Sequence, residues 1–481
     1  MPREPQLAPP SAMPASGHPP QNVARPGVRL AFVAVIGCLA QFMVVLDSSI
    51  VNVALPSMKD GLGLSATGQQ WVVNGYLTTF GGLLLLASRA SDLFGRRRVF
   101  QAGLAVFTIA SLCGGLAQAG WMLLAARLVQ GAGAAALAPS SLSLITASHA
   151  EPARRARAMT WWGVAAASAG AVGIVLGGVL TASLSWRWVL LVNVPVGIGL
   201  FAAAFACLAP SAADRRARID VPGAITATLA AAALVYGVSV APDDGWGSGQ
   251  VVAALVAGVA VLAAFAVIES RASKPLIPGG VLAVRNIRVG NLMTVFMSVV
   301  IIAPPFFLSL YLQQVLGESA LRTGLSLLPM ACVMSVGVLL SQRLIPLVGA
   351  KYLVLAGGLV AAAGLVWLAQ LPAHSGYVLH VLAPTLVVAA GTSVTMMPGV
   401  AAATSGVAPR DAGVASGLLN MSRQLGAALG LAVMVTVASA VTSHSRAHGP
   451  AAVIGGYHAA LLVVAAASVA TALTSLFLKR S

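Results

Sequence analysis

Long apolar runs separated by short polar segments fill the chain from about residue 30 to its end. A helix that crosses the hydrocarbon core of a bilayer needs roughly 20 apolar residues. A window of that length finds fourteen such runs, so the pattern predicts fourteen transmembrane helices. The predicted spans are 30–56, 69–88, 99–118, 121–147, 158–182, 188–209, 221–240, 250–269, 287–313, 323–345, 351–371, 377–400, 413–440 and 456–478.

The composition excludes a soluble globular fold. Hydrophobic residues make up 58% of the 481 residues and charged residues 8%, whereas an average soluble domain is about 45–50% apolar and about 25% charged. The four cysteines lie in apolar runs without metal-ligand spacing, so neither a disulfide framework nor a metal site is predicted. The sequence indicates an all-α polytopic membrane protein surrounded by the lipid bilayer.

The basic residues predict the orientation of the chain in the membrane. The formal net charge is +16, which in a soluble protein would suggest nucleic acid but in a membrane protein is typical of cytoplasmic loops. With a cytoplasmic N-terminus, 22 of the 28 Lys and Arg residues lie in inside segments and four in outside loops. We therefore predict a multi-pass protein of the cytoplasmic membrane with both termini in the cytoplasm, and no nucleic-acid partner.

Two polar stretches divide the predicted helices into groups. A charge run at 214–218 follows the sixth span, and a polar stretch at 270–288 follows the eighth. A faint repeat supports the division, because 92–97 after the second span resembles 346–351 after the tenth. Duplicated halves with substrate between them are typical of transporters. The predicted domains are a disordered cytoplasmic tail (1–27), an N-terminal six-helix bundle (28–210), two linker helices (211–270) and a C-terminal six-helix bundle (271–481).

Motifs for ATP binding and for intramembrane catalysis are missing from the sequence. No Gly-x-x-x-x-Gly-Lys-Ser/Thr loop, no His-Glu-x-x-His and no Gly-x-Ser-x-Gly is present. The sequence therefore predicts no ATP binding, no enzymatic activity and no cofactor. A transporter of this kind takes its energy from an ion gradient or from the gradient of its substrate.

Only three fully charged residues lie well inside the predicted spans: Asp47, Arg127 and Arg423. A charge in the membrane costs about 2.5–3.5 kcal/mol on insertion scales, so such a residue is a functional candidate. Asp47 and Arg127 lie at similar depths, roughly 14 and 9 Å from the predicted outer surface. They fit either a proton-coupling pair or a static ion pair, and transport by an Asp47→Asn variant distinguishes the two.

Polar neighbours accompany two of these charges. Gln130 shares a helix face with Arg127 and can hydrogen-bond to another helix. Arg423 and Gln424 lie in a span of the second half without an acidic partner there. Arg423 fits contact with substrate or water as well as it fits hydrogen bonds to backbone carbonyls.

Several of these segments resemble motifs of the major facilitator superfamily, in its fourteen-helix drug:proton antiporter branch. The segments are 46–56 at the end of span 1, 88–98 in the loop after span 2, 127–133 in span 4, 173–178 in span 5, 186–195, and 416–426 in span 13. Two positions depart from the family pattern, because Ser88 replaces a glycine and Ile174 replaces a proline.

The resemblance implies a fold of two six-helix bundles plus two linker helices, and a role for each motif. Asp47 and Arg127 would be the proton-coupling pair, supported by Gln130 and Asn52. A cytoplasmic gate would comprise Asp92, Gly95, Arg96 and Arg97, although the cluster also fits a merely basic inside loop. A helix-packing motif would comprise Gly173, Gly177 and Gly178. The implied activity is export of antibiotics or other toxic small molecules in exchange for protons.

The substrate site is the least constrained part of the prediction. Met293 with Met297, and Met330 with Met334, share helix faces at four-residue spacing, which suits a pocket for varied amphipathic compounds. Ordinary helix packing or lipid contact explains the same pattern and is the favoured interpretation. Two other functions stay open: a facilitator or importer of a metabolite with the same fold, and a membrane receptor without transport.

Overall fold

The computed structural model describes residues 26–148, 151–208, 221–272, 279–372, 377–404, 412–445 and 449–478, and these residues form helices and their connections. The α-helices are α1 (Pro26–Leu62), α2 (Ala66–Phe94), α3 (Arg96–Gly115), α4 (Gly120–Ser148), α5 (Pro152–Ser183), α6 (Trp188–Leu191), α7 (Asn193–Cys207), α8 (Val221–Asp244), α9 (Gly249–Arg271), α10 (Gly279–Ala283), α11 (Arg285–Leu310), α12 (Ala320–Val348), α13 (Ala350–Leu368), α14 (Ala383–Thr404), α15 (Ala412–His444) and α16 (Pro450–Thr474).

Twelve helical segments of the described chain are long and apolar enough to cross a membrane. They coincide with twelve of the predicted spans, which confirms a multi-pass, all-helical membrane protein. The other two predicted spans correspond to α2 and α8. These helices have 29 and 24 residues, which is long enough to cross a bilayer. Their described residues, however, do not form a stretch that is both long and apolar enough to count among the twelve. Fourteen spans therefore stay a prediction.

The ends of several helices differ from those of the apolar runs. Helix α1 continues beyond the predicted end at 56 to Leu62, because a helix can carry a polar turn into the headgroup region. Its start at Pro26 takes in the last two residues of the predicted tail, while the rest of that tail lies outside the described residues, as does the charge run at 214–218. The sixth predicted span is interrupted at Val192 between α6 and α7.

The predicted loop after span 2 is a single residue. Helix α2 runs to Phe94 and α3 begins at Arg96, so Gly95 alone connects them, with φ 90° and ψ 135°. Gly349 connects α12 to α13 in the same way, with φ 87° and ψ 144°. Residues with a side chain rarely adopt this conformation. The two segments that resemble each other in sequence thus make the same backbone turn.

A basic side chain follows each of these turns at the same spacing. Arg97 donates from Nη2 to the Phe205 carbonyl oxygen near the end of α7, at 2.8 Å. Lys351 donates from Nζ to the Leu476 carbonyl oxygen just beyond α16, at 2.9 Å. Cations stabilise the partially negative carboxyl ends of helices. Each turn is therefore tied to the end of a later helix.

Glycines let α5 approach two other helices closely. A Cβ atom at Gly173 would lie 3.0 Å from the Leu46 carbonyl oxygen of α1, and one at Gly177 would lie 2.6 Å from that of Ile50. A Cβ atom at Gly178 would lie 2.6 Å from the Ala320 carbonyl oxygen of α12. Small residues permit such backbone contact between helices in membranes. Helix α5 thus joins α1 to α12 at the side of the bundle where α1 ends.

Helix α11 also meets α1 on this side. The Ser309 hydroxyl donates to the Asn52 carbonyl oxygen at 3.0 Å, and Gln313 Nε2 donates to the Val53 carbonyl oxygen at 3.0 Å. We call α1–α7 the first part of the chain and α11–α16 the second part. Together with the α5–α12 contact, these bonds hold the two parts together where the sequence predicts the extracellular surface.

Helix α8 packs against both parts of the chain. Gln70 Nε2 of α2 donates to the Ser239 hydroxyl of α8 at 3.1 Å, and Thr436 Oγ1 of α15 donates to the Val238 carbonyl oxygen at 2.7 Å. Helices α2 and α15 also touch each other, since a Cβ atom at Gly81 would lie 2.7 Å from Gln424 Cβ. Helix α8 therefore lies along the line where α2 and α15 meet.

Candidate functional site

The intramembrane charges of the first half form an ion pair. Asp47 lies in the middle of α1 and Arg127 near the start of α4, and Arg127 Nη1 donates to Asp47 Oδ2 at 2.6 Å. The two side chains have relative exposures of 0% and 1%. Their similar depths in the two spans, noted in the sequence, are realised here as direct contact.

Amide groups from two other positions complete the shell around Asp47. Its Oδ1 accepts hydrogen bonds from Gln130 Nε2 at 2.7 Å and from Asn193 Nδ2 of α7 at 2.9 Å. Gln130 also accepts from Arg127 Nη1 at 2.7 Å and donates to the Ser111 hydroxyl of α3 at 2.8 Å. The carboxylate thus accepts three hydrogen bonds, one of them from the charged guanidinium group of Arg127.

The guanidinium group of Arg127 is held from the side of α2. Its Nε donates to the Val72 carbonyl oxygen at 2.9 Å, and its Cζ lies 4.3 Å from the centre of the Tyr76 ring. Tyr76 itself is buried and donates to the Val44 carbonyl oxygen of α1 at 3.3 Å. Cation–π attraction of this kind is strongest where water is excluded.

This buried polar network joins α1, α2, α3, α4 and α7. A buried ion pair is stable only when further hydrogen bonds compensate for the loss of hydration. Gln130, Asn193 and the Val72 carbonyl supply those bonds. The arrangement can hold a negative charge on Asp47 inside an apolar bundle, and the balance changes if that carboxylate takes up a proton.

Three members of the network are absent from the sequence-based set of candidates: Tyr76, Ser111 and Asn193. All three side chains are neutral. Neutral polar residues are common inside apolar spans, so their presence there does not by itself indicate a functional site. Asn193 carried the clearest available signal, because it lies within an otherwise apolar stretch of span 6. Asn52, which the resemblance places in support of the pair, donates instead to the Ser48 carbonyl oxygen of its own helix at 3.4 Å.

The predicted gate residues surround the turn between α2 and α3. Gly95 forms the turn, Arg96 begins α3, and Arg97 donates to Phe205 and lies over its ring at 5.6 Å. The side chain of Asp92 lies outside the described residues. The basic members are thus placed, while the acid on which the gate hypothesis depends is not.

The candidate substrate-cavity residues occupy different surroundings. Arg423 Nη2 donates to Asn420 Oδ1 at 2.8 Å, and among the salt bridges of the described residues none involves Arg423. Gln424 lies at the α2–α15 contact. Met293 and Met297 are buried, near the position that a Cβ atom at Gly399 of α14 would take. On α12, Met330 is buried and Met334 partly buried.

Comparison with known proteins identifies the fold and the family. Residues 37–431 match the sequence profile of the Major Facilitator Superfamily. The chain belongs to the major facilitator superfamily. Superfamily membership makes it a membrane transporter, and the all-helical architecture agrees with that assignment.

Two relatives that are named for antibiotics are similar over most of their length. The cephamycin export protein CmcT of Amycolatopsis lactamdurans is 45% identical, over 86% of this chain and 86% of the relative. The puromycin resistance protein pur8 of Streptomyces alboniger is 40% identical, over 87% of this chain and 84% of the relative. Relatives within the superfamily therefore include an antibiotic exporter and an antibiotic resistance protein.

Solved superfamily structures share the fold at low sequence identity. A D-xylose-proton symporter superposes with a TM-score of 0.65 and 14% identity, covering 94% of this chain and 98% of the symporter. The xylose transporter XylE from E. coli gives a TM-score of 0.63 at 14% identity, covering 94% and 97%. This likeness concerns the fold alone.

Proposed function

We propose that the protein is a proton-coupled exporter of amphipathic small molecules, including antibiotics, across the cytoplasmic membrane. The buried network around Asp47 carries the proposal, because an ionisable carboxylate in an apolar bundle is suited to loading and releasing a proton. The names of the two relatives supply the substrate class. We assign the chain to the fourteen-helix drug:proton antiporter branch, with α2 and α8 as its remaining spans.

The coupling proposal assigns a role to each member of the network. Asp47 is the proton carrier, and Arg127 stabilises its ionised form. Gln130 and Asn193 position the carboxylate, and Asn52 contributes through its backbone contact with α11 rather than through its side chain. When Asp47 is protonated, its attraction to Arg127 weakens, and the helices that the ion pair holds together are free to rearrange.

Alternating access follows from two six-helix bundles, 28–210 and 271–481, that rock about the substrate, with 211–270 as linker helices. The described conformation has α1 held to α11 and α5 to α12 on the predicted extracellular side. We assign both termini to the cytoplasm, and the gate to Asp92, Gly95, Arg96 and Arg97. The substrate cavity is assigned to Arg423, Gln424 and the methionine pairs Met293/Met297 and Met330/Met334.

Export is tested by drug accumulation in cells that express the chain or an empty vector. Puromycin and a cephamycin are the first compounds, followed by a panel of neutral, cationic and anionic amphiphiles. We expect lower accumulation and greater resistance for at least one class. Equal accumulation of every compound, with the protein present in the membrane, contradicts export.

Coupling is tested separately in inside-out vesicles that lack ATP and receive an imposed pH gradient. Uptake of the identified substrate is expected when the vesicle interior is acidic, and it should collapse when a protonophore is added. Uptake that is independent of the gradient leaves the export proposal standing and refutes proton coupling.

A further inference from the structure

A small cavity lies inside the second part of the chain, among α11, α13, α14 and α16. Its volume is about 10 Å³, and a polar cavity of roughly 10–15 Å³ is enough for one water molecule. Four of its eight lining residues carry a hydroxyl group: Thr392 and Thr395 of α14, and Ser468 and Thr471 of α16. Each of these residues is about 2% exposed, so the cavity is interior.

Three of the four hydroxyls donate their protons away to carbonyl oxygens. Thr395 donates to the Thr392 carbonyl oxygen at 2.7 Å, Ser468 to that of Gly358 at 2.8 Å, and Thr471 to that of Ala467 at 3.0 Å. A hydroxyl has one proton and two lone pairs. Because the protons are in use, these three oxygens are left with acceptor capacity only.

The fourth hydroxyl lacks a partner among the described residues. Thr392 Oγ1 is fully buried and makes no hydrogen bond there. A buried hydroxyl without a partner is destabilising, because it has lost its hydrogen bonds to water. The cavity therefore combines one unsatisfied hydroxyl with three hydroxyl oxygens that are still able to accept a hydrogen bond.

A water molecule has the hydrogen-bonding capacity that this lining requires. A single water can accept one bond and donate two, which matches one free donor and two of the acceptors and gives the three bonds of a typical buried water. A cation of similar size meets only neutral oxygens here, and an uncompensated charge in the membrane interior is costly. The chemistry of the lining thus favours water over a cation.

We propose that one water molecule occupies this cavity and links α14 to α16. The helices around it are the first, third, fourth and sixth long helices of the second part of the chain. The Asp47 network draws on the corresponding helices of the first part, α1, α3, α4 and α7, and in addition on α2. The first part is thus joined by a charged network and the second by a neutral, hydrated one. This inference does not depend on proton coupling or on export.

The sign of a stability change tests the proposal. In Thr392→Val the water loses a partner, so the Tm of the full-length protein in detergent should fall by about 1–3 °C. Thr323 of α12 is the matched control, because its hydroxyl is also buried without a partner among described residues but does not line the cavity. Thr323→Val removes an unsatisfied group and should leave the Tm unchanged or raised. A rise in both variants means a dry cavity and overturns the proposal.

Two measurements on the wild-type protein complete the test. Short X-ray irradiation produces hydroxyl radicals from bound water, and these oxidise nearby methionine to its sulfoxide. Met297 lines the cavity while Met293, one turn away and equally buried, does not. Met297 should be oxidised several-fold faster, and equal rates overturn the proposal. The Tm should be the same in sodium and choline chloride, and stabilisation specific to sodium indicates a cation instead of water.

Discussion

Asp47 is a fully buried carboxylate that is held by side chains of two other helices. Its two carboxylate oxygens accept bonds from Arg127, Gln130 and Asn193, at distances of 2.6–2.9 Å. These donors come from α4 and α7, while Asp47 belongs to α1. A single charge therefore influences how three helices pack, which is the property that a coupling site requires.

Replacing Asp47 by Asn keeps the size and removes the charge and the exchangeable proton. Under the proposed mechanism, gradient-driven transport should fall by at least about tenfold, since a charged buried hydrogen bond contributes about 1.5–3 kcal/mol. The measurement is substrate uptake in vesicles with an imposed pH gradient. Asp60→Asn is the control, because Asp60 is exposed at the end of the same helix, and it should transport as wild type does. Normal gradient-driven transport by Asp47→Asn contradicts the coupling role.

The sequence identified the charged residues of the network more readily than the neutral ones. Asp47 and Arg127 stand out because charge is rare in an apolar span, and their depths predict that they can meet. Gln130 follows from its position one turn from Arg127. Tyr76 and Ser111 carry no comparable signal, because their contribution depends on how α2 and α3 are rotated against α4.

At the scale of single elements, the one-residue turns at Gly95 and Gly349 are the most specific features. Each joins two long helices with no further residue to absorb strain, and each turn is followed by a basic side chain bound to a later helix. Hydropathy marked these segments as polar loops. It overestimated the length of the loop at Gly95, because the arginines in the last part of α2 and the first turn of α3 are polar and yet helical.

Gly349→Ala tests the backbone requirement of such a turn. Nothing lies within 4 Å of the position that a Cβ atom would occupy there, so any loss of stability comes from the positive φ. We expect a cost of about 1–3 kcal/mol, seen as a lower Tm. Gly455 within α16 has equal space but no positive φ, and Gly455→Ala should raise the Tm slightly. An unchanged Tm for Gly349→Ala contradicts a requirement for glycine at this turn.

At the scale of the whole molecule, the contact between α5 and α12 joins the N-terminal and C-terminal helices at one end of the bundle. Backbone atoms of the two helices touch at Gly178 and again at Gly324, where a Cβ atom would lie 2.7 Å from the Ile174 carbonyl oxygen. Ile174, which replaces the proline of the family motif, is therefore part of this contact. Its carbonyl oxygen faces Gly324, whose missing side chain leaves room for this close approach.

A bulky side chain at Gly178 should hold this end of the bundle open. In Gly178→Leu the new side chain would overlap the Ala320 carbonyl, so the closed conformation is disfavoured and transport should fall by at least about tenfold. Gly163→Leu is the control on the same helix, since no atom lies within 4 Å of a Cβ there. Export rates of the two variants at equal expression give the comparison. Equal rates contradict a requirement for this closure.

The sequence predicted where the helices lie along the chain better than it predicted how they pack against one another. Apolar runs fix the positions of the helices, and the balance of basic residues predicts their direction. The contacts that join the two parts of the chain, such as Gly178 with Ala320 or Ser309 with Asn52, involve small residues and backbone atoms. Such contacts leave almost no trace in hydropathy, because they depend on shape rather than polarity.

Helix α8 bears on how molecules dissolved in the bilayer reach the interior. Along α2 it makes contact from Gln70 to Gly82, where a Cβ atom would lie 2.5 Å from Thr228 of α8. It contacts α15 through the hydrogen bond from Thr436. The seam between the two parts of the chain is thus covered on this flank by a third helix. We therefore expect α8 to block lateral entry from the lipid where α2 and α15 meet along this stretch.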